Sequence, residues 1–326
     1  MAKFNRRQFL TFSISTVLSR NLQANSALSK TGLVIDERFS KHIISVSHPE
    51  SPARYHAITQ HLLADDLHKR VTLIKPKIDI EQWLAKIHST DHINAIKSNQ
   101  PDTHKHAVLA TSGVLAAIDA VCTNKVENAF CASRPPGHHA TNTGQEEGFC
   151  YYNHIAIAAR YAQQQYHLKK ILIIDWDYHH GNGTQWAFYS DPSVLFFSTH
   201  DMFAYPGTGT PKSVGEGDGK GFNINVHLDC GASDSDIMTA FREKLLPAAD
   251  DFAPDLILIS AGFDSREDDL LGCHKITNQG FKQLTDIVKS LAAHHCDGKI
   301  VSVLEGGYNI EGNASAVITH INALMA

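Results

Sequence analysis

Methionine and tryptophan are scarce, at 4 and 3 of 326 residues, and the 6 cysteines form no Cys-x-x-Cys pair. The spacing of Cys122, Cys131, Cys150, Cys230, Cys273 and Cys296 excludes a zinc knuckle or a thioredoxin-type dithiol. A basic surplus is missing too: 29 Lys and Arg stand against 34 Asp and Glu, a net charge of −5. No broad phosphate-neutralising face for nucleic acid is therefore expected. No series of apolar runs of about 20 residues occurs, which excludes a multi-span membrane protein. After residue 30 there are no repeats, low-complexity tracts or linkers. With 43% hydrophobic and 19% charged residues, the chain has enough apolar material for the core of a globular protein. Histidine is what it has in excess. There are 21, many paired beside Asp and Gly, which points to metal or proton chemistry.

Residues 1–26 differ from the rest. They carry Lys3, Arg6, Arg7 and Arg20 without an acidic residue, then a mild apolar run from Thr11 to Leu18 and small residues at Ala24, Ser26 and Ala27. A basic start, a modest apolar stretch and a small-residue cleavage zone describe an export signal. Arg6-Arg7 followed by Phe9-Leu10 resembles the twin-arginine type, which predicts a periplasmic or secreted protein. The alternative is an ordinary amphipathic N-terminal helix or a disordered tail, on a cytoplasmic chain. Cys131 and Cys150 sit in apolar stretches and read as buried thiols. Export would permit disulfides, which the sequence does not pair.

Strand-length apolar runs recur at Leu33–Ile35, Ala129–Ala132, Ile171–Ile174, Val194–Ser198, Leu256–Ser260 and Ile300–Leu304. They alternate with helical periodicity at Val108–Cys122, Ile155–Gln164, Asp234–Phe252 and Thr277–His294. Short strands apolar on both faces imply a buried parallel sheet between helical layers, an α/β fold of one domain over residues 30–326. The Asp, His and Gly clusters fall just after these strands, at the edge where open α/β sheets bind ligands.

The stretch Asp175-Trp176-Asp177-Tyr178-His179-His180-Gly181-Asn182-Gly183 delivers Asp175, Asp177 and His179 at alternate positions. Extended geometry would put all three on one side. A carboxylate and an imidazole suit a borderline divalent ion such as Zn²⁺, with Asp264 after the Leu256–Ser260 run as a third ligand and one position open for water. Capping or turn-closing acids are the structural alternative. Arg134-Pro135-Pro136-Gly137-His138-His139 places two imidazoles on a stiffened loop, where they can converge as general base and acid. Leu304-Glu305-Gly306-Gly307-Tyr308-Asn309 offers a hydroxyl for an oxyanion, or simply a surface tyrosine in a turn.

In order along the chain, His48–Arg54, Ile87–Ser89, Arg134–Ala140, Glu147–Asn153, Asp175–Gln185, Phe197–His200, Pro206–Gly209, Ser260–Asp264 and Leu304–Asn309 resemble the zinc-dependent histone deacetylase family, in its class II-like branch. The resemblance runs from about residue 32 almost to the C-terminus. It implies the arginase/deacetylase fold, an eight-stranded parallel sheet sandwiched by helices, and hydrolysis of a linear N-acyl amide, most often acetyl-lysine. It implies zinc at Asp177, His179 and Asp264, His138 and His139 beside the metal-bound water, and Tyr308 on the acetyl carbonyl. Asp175 would accept from His138 and Asn182 from His139. Gly148, Phe149 and Tyr205 would line a narrow tunnel, with Leu271 at its rim and Asp102 as the rim carboxylate gripping substrate. Two potassium sites are implied, one at Asp175, Asp177, His179, Ser198 and Thr199, the other at Phe188, Asp191, Val194 and Phe222. His92 departs from the family's usual Tyr. Leu271 is a neutral gate, but Glu267, Asp268 and Asp269 before it make an acidic neighbourhood that would draw cationic substrates. Competing readings are an acetylpolyamine amidohydrolase, a two-metal ureohydrolase and a catalytically silent acyl-lysine binding module.

Overall fold

The computed structural model describes residues 30–76 and 79–326. The Arg6-Arg7 segment lies outside the described residues. Ile171–Asp175 shows how the sheet arises. Its apolar side chains alternate: Ile171 and Ile173 belong to the core cluster that holds Val114, Ile118, Ile155 and Ala159, while Leu172 and Ile174 belong to the one that holds Phe241, Phe281 and Ile321. A strand covered on both faces must be apolar at every position, and this one is buried throughout.

Eight strands follow in the chain: β1 (Thr31–Val34), β2 (Thr72–Ile74), β3 (Asn128–Cys131), β4 (Ile171–Asp175), β5 (Val194–His200), β6 (Asn223–His227), β7 (Leu256–Ala261) and β8 (Ile300–Leu304). They form one sheet in the order β2-β1-β3-β8-β7-β4-β5-β6, and every pairing is parallel. The helices are α1 (Pro52–Ala64), α2 (Glu81–Leu84), α3 (Thr90–Asn99), α4 (Pro101–Cys122), α5 (His154–Tyr166), α6 (Asn182–Phe188), α7 (Asp234–Ala240), α8 (Leu246–Phe252), α9 (Asn278–His295) and α10 (Ile310–Met325). One layer holds α4 and α5, the other α1 and α7 to α10.

Two differences from the sequence pattern have local causes. The helix expected over 234–252 is carried through a π turn at Phe241–Leu245, just before Pro247, whose ring has no N–H for a regular helix. The helix expected from Val108 begins at Pro101, where proline's missing N–H costs nothing. Among the described residues α4 is long and apolar enough to cross a membrane, but its apolar stretch is 72% buried inside the fold, so its composition reflects a core position.

Because all strands run one way, the loops after β3, β4, β7 and β8 emerge from a single edge. Register aligns them. Asp175 at the end of β4 lies beside Ser198 of β5 and Ser260 of β7, and Ala261 of β7 lies beside Leu304 of β8.

Candidate active site

β4 ends at Asp175, so the extended geometry that would line up three polar side chains stops there. Asp175 turns to the His pair: His138 Nδ1 donates to its Oδ2 at 3.0 Å, and its Oδ1 accepts from Asp177 N at 3.1 Å. Asp177 and His179 continue into the loop and meet Asp264, which follows β7. His179 Nδ1 lies 3.2 Å from Asp177 Oδ1 and 3.0 Å from Asp264 Oδ2. One donor atom from each residue lies within 4.8 Å of the others. Gly306 N steadies Asp177 Oδ2 at 2.8 Å, and Tyr178 N steadies Asp264 Oδ1 at 2.8 Å.

This trio fits a divalent cation. A single N–H shared between two carboxylates serves neither fully, whereas one ion would face all three lone pairs. Two oxygens and one nitrogen are a donor set that zinc accepts. Burial and the Asp177 carboxylate push Asp264 up to about 7, the mark of crowded negative charge that a +2 ion would neutralise.

The loop after β3 carries His138 and His139 against the trio, with ring centroids 4.0 Å apart. His139 Nδ1 donates to Asn182 Oδ1 at 2.7 Å, which leaves Nε2 with a free lone pair. Burial disfavours charge on both rings. Asp177, Asp175 and Glu305 nevertheless raise His138 well above the ordinary histidine value, whereas His138 and His179 drive His139 further below it. The neighbours thus separate two identical side chains.

Above the trio opens a cleft of about 610 Å³, walled by Gly148, Phe149, Tyr178, Ala204, Tyr205, Leu271 and Tyr308, with Glu146 among them. The Tyr205 ring stands edge-on to His139 at 5.0 Å, and Phe149 stands edge-on to Tyr308 at 5.8 Å. Gly148 has a φ of +53°, and any Cβ there would collide with the His139 ring. Phe149 also has a positive φ, +68°, a strained state for a residue with a side chain. Its N–H, donated to Glu146 Oε1 at 2.7 Å, helps hold it.

Some expectations are not met. Asp102 does not line the cleft. It sits in the first turn of α4, set by Pro101, and pairs with Lys105 at 3.0 Å. Glu146 is the acid the walls present. The acidic neighbourhood of Leu271 is partly spent as well, since Asp268 pairs with Arg266 and Asp269 accepts backbone N–H groups. In the first implied potassium set the Thr199 hydroxyl is buried without a hydrogen-bond partner, beside Ser198, whose hydroxyl meets His200 Nδ1 at 2.8 Å. In the second set Asp191 is salt-bridged to Arg160 at 2.7 Å. The carbonyls of Phe188, Asp191 and Phe222 accept N–H groups of Asp191, Val194 and Phe196.

Several histidines are structural. His88 donates at Nδ1 to Thr141 O and accepts at Nε2 from Asn153 N, at 2.8 and 2.9 Å, and burial lowers it to about 3. His92 stacks on it at 4.7 Å and joins Tyr151 O to Gly144 N, so both brace the loop that ends in the cleft wall.

A buried ion cluster was not legible beforehand. Glu50 takes both Arg134 Nε and Nη2, at 2.5 and 2.7 Å, and Arg54 Nη1 at 3.3 Å. Arg54 also donates to the Gly307 and Glu305 carbonyls, at 2.6 and 2.5 Å. The cluster therefore ties the His-pair loop to the Tyr308 loop. Burial alone would raise the Glu50 carboxyl, but Arg134, His42 and Arg54 hold it down at about 2. Against an ordinary 4.5 this is worth about 3 kcal/mol. That stability is present above about pH 4.5 and is lost as pH falls toward 2. Glu50→Gln should cost about 3–5 kcal/mol at pH 7, read as a lower urea midpoint, by leaving buried guanidinium charge unpaired. An unchanged midpoint would show the cluster to be energetically neutral.

A parallel eight-stranded sheet thus gathers an Asp/His/Asp trio, a His pair and a tyrosine at its carboxyl edge. The histone deacetylase domain matches residues 48–324, and the chain belongs to the histone deacetylase family. Its fold is that of the family, and zinc dependence is typical of that family. Over 312 residues the chain is 36% identical to a "Probable deacetylase" of Archaeoglobus fulgidus, covering 91% of this chain and 86% of that one. It is 37% identical to "Histone deacetylase 15" of Arabidopsis thaliana, covering 90% of this chain and 57% of the plant protein. The crystal structure of the HDA15 HD domain superposes with a TM-score of 0.85 at 35% identity, over 92% of this chain and 89% of that domain.

Proposed function

We propose that this deacetylase is a zinc-dependent amidohydrolase that removes acetyl groups from lysine side chains of peptides or proteins. The observation that carries it is the meeting of three groups at the floor of one narrow cleft: the Asp177/His179/Asp264 trio, the His138/His139 pair and Tyr308. When bound, zinc supplies Lewis-acid polarisation and an acidified water. His139, with Nδ1 committed to Asn182, presents Nε2 to take a proton. His138, backed by the Asp175 carboxylate, holds a proton for the departing amine. Tyr308 is buried at the cleft wall beneath the Arg54 guanidinium, 5.0 Å from its ring, and donates its hydroxyl to the developing oxyanion. Phe149 and Tyr205 present apolar surface to the methylenes of the substrate.

Tyr308→Phe should lower turnover roughly 10²–10³-fold with the metal retained; unchanged turnover would remove Tyr308 from the mechanism. The reading as a whole is tested by acetate release from acetyl-lysine peptides and acetylputrescine, with and without chelator. Chelator-sensitive release from the peptides supports it. Binding without release would make the chain a silent module. Glu146 in the wall is the feature that favours the acetylpolyamine alternative, which preferential turnover of acetylputrescine would establish.

Of the two implied potassium sets we propose the first, on the ground of the buried Thr199 hydroxyl that has no hydrogen-bond partner. Export through the Arg6-Arg7 segment belongs to the proposal as well. Its ground is the Arg6-Arg7 pair and the mild apolar run from Thr11 to Leu18 that follows it. N-terminal sequencing of the extracytoplasmic form tests it. An intact Met1 on an exclusively cytoplasmic protein would overturn it.

A further inference from the structure

We propose that Asp269 is a positioning residue whose two carboxylate oxygens clamp the Tyr308 loop to the Leu271 rim, so that the oxyanion donor and the tunnel mouth are set by one side chain. Asp269 does not line the cleft, and its work is done through backbone. Its Oδ2 accepts from Tyr308 N at 2.5 Å and from Asn309 N at 3.0 Å. Its Oδ1 accepts from Leu271 N at 2.9 Å and from Gly272 N at 3.3 Å. Each oxygen thus serves one loop. The loops follow β7 and β8, and both Leu271 and Tyr308 line the cleft.

The chemistry suits a carboxylate and nothing else of that size. Four N–H groups converge on one side chain, and only an ionised carboxyl has acceptor sites for all four and no donor to oppose them. The Tyr308 loop needs such a hold. Gly307, with a φ of +125°, turns the chain sharply before the tyrosine, and α10 begins immediately after Asn309, whose Oδ1 caps it through Gly312 N. Arg54 grips the preceding carbonyls from the other side. Between those two anchors Tyr308 N is the point that sets where the phenol ring leaves the backbone. A displacement of about 1 Å at an oxyanion donor can cost on the order of 10²-fold in rate.

The proposal rests on Tyr308 being the oxyanion donor, and its test separates the two ideas. Asp269→Asn keeps size and one acceptor oxygen but turns an amide N–H₂ on two of the four donors. It should lower kcat on an acetyl-lysine peptide roughly 10–10²-fold and raise KM as the Leu271 rim loosens, with zinc content unchanged. Asp269→Glu should recover part of the loss, and it supplies the comparison if the Asn variant fails to fold. Asp268→Ala, next door, should leave turnover unchanged. In a Tyr308→Phe background Asp269→Asn should cause no further loss of kcat, because the group it positions is gone. Full additivity in that double variant, or wild-type kcat for Asp269→Asn, would overturn the proposal. Wild-type turnover of Tyr308→Phe alone would instead overturn the role assigned to the tyrosine.

Discussion

Asp264→Asn should yield a folded chain that no longer holds zinc and has lost roughly 10³-fold or more of its acetate release. The asparagine oxygen can still accept from Tyr178 N, as Asp264 Oδ1 does at 2.8 Å, so the loop after β7 keeps its anchor. What goes is one of two charges facing His179 Nδ1. The missing ion would withdraw several kcal/mol of transition-state stabilisation, which converts to that loss of rate. The metal-free variant should melt no lower than the metal-free parent, since one of the crowded buried carboxylates has been neutralised. Added zinc should raise the melting temperature of the parent and not of the variant. Metal analysis and thermal melts check both statements. A variant that retains one zinc per chain and full turnover would remove Asp264 from the metal centre.

His139→Ala should cost about 10²–10⁴ in kcat, the range for a positioned general base, while zinc content stays at the parent level. The argument lies in the partners. Asn182 receives the Nδ1 proton and thereby fixes the tautomer, so Nε2 is the basic nitrogen and belongs to the cleft. Asn182→Ala should reproduce only part of the loss, because it frees the ring without removing it. His138→Ala should differ in kind, since Asp175 and Glu305 would lose the positive neighbour beside them. Single-turnover acetate release with metal content measured in parallel distinguishes these cases. Loss of zinc in His139→Ala would show that the ring supports the metal site rather than the proton transfer.

The central strands were legible because β3, β4, β5, β7 and β8 are apolar on both faces. The edges were not. β2 is three residues, one of them exposed, and β6 carries Asn223, Asn225 and His227, so neither shows a run that sequence alone can separate from a loop. In the site, the spacing of Asp175, Asp177 and His179 suggested three groups on one side, but the strand ends at Asp175, so the first acid turns to His138 instead of joining the trio. The Glu50 cluster escaped because Arg54 and Gly307 are 253 positions apart, and nothing local in either segment requires the other. The histidine surplus was an ambiguous signal. His88, His92, His154 and His320 are buried cross-links, with burial lowering the last two to about 4 and about 3. Asp102 failed as a rim acid because Pro101 makes that segment a helix start.

The place of β8 in the sheet bears on how the catalytic centre is assembled. β8 is the last strand made, yet it is wedged between β3 and β7. Without it the strand pairings join only two groups, β2-β1-β3 and β7-β4-β5-β6. The first leads to the paired imidazoles and the second to Asp177, His179 and Asp264. β8 therefore joins the strand that leads to the His138/His139 loop to the strands that lead to the trio, and Tyr308 follows directly after it in the chain.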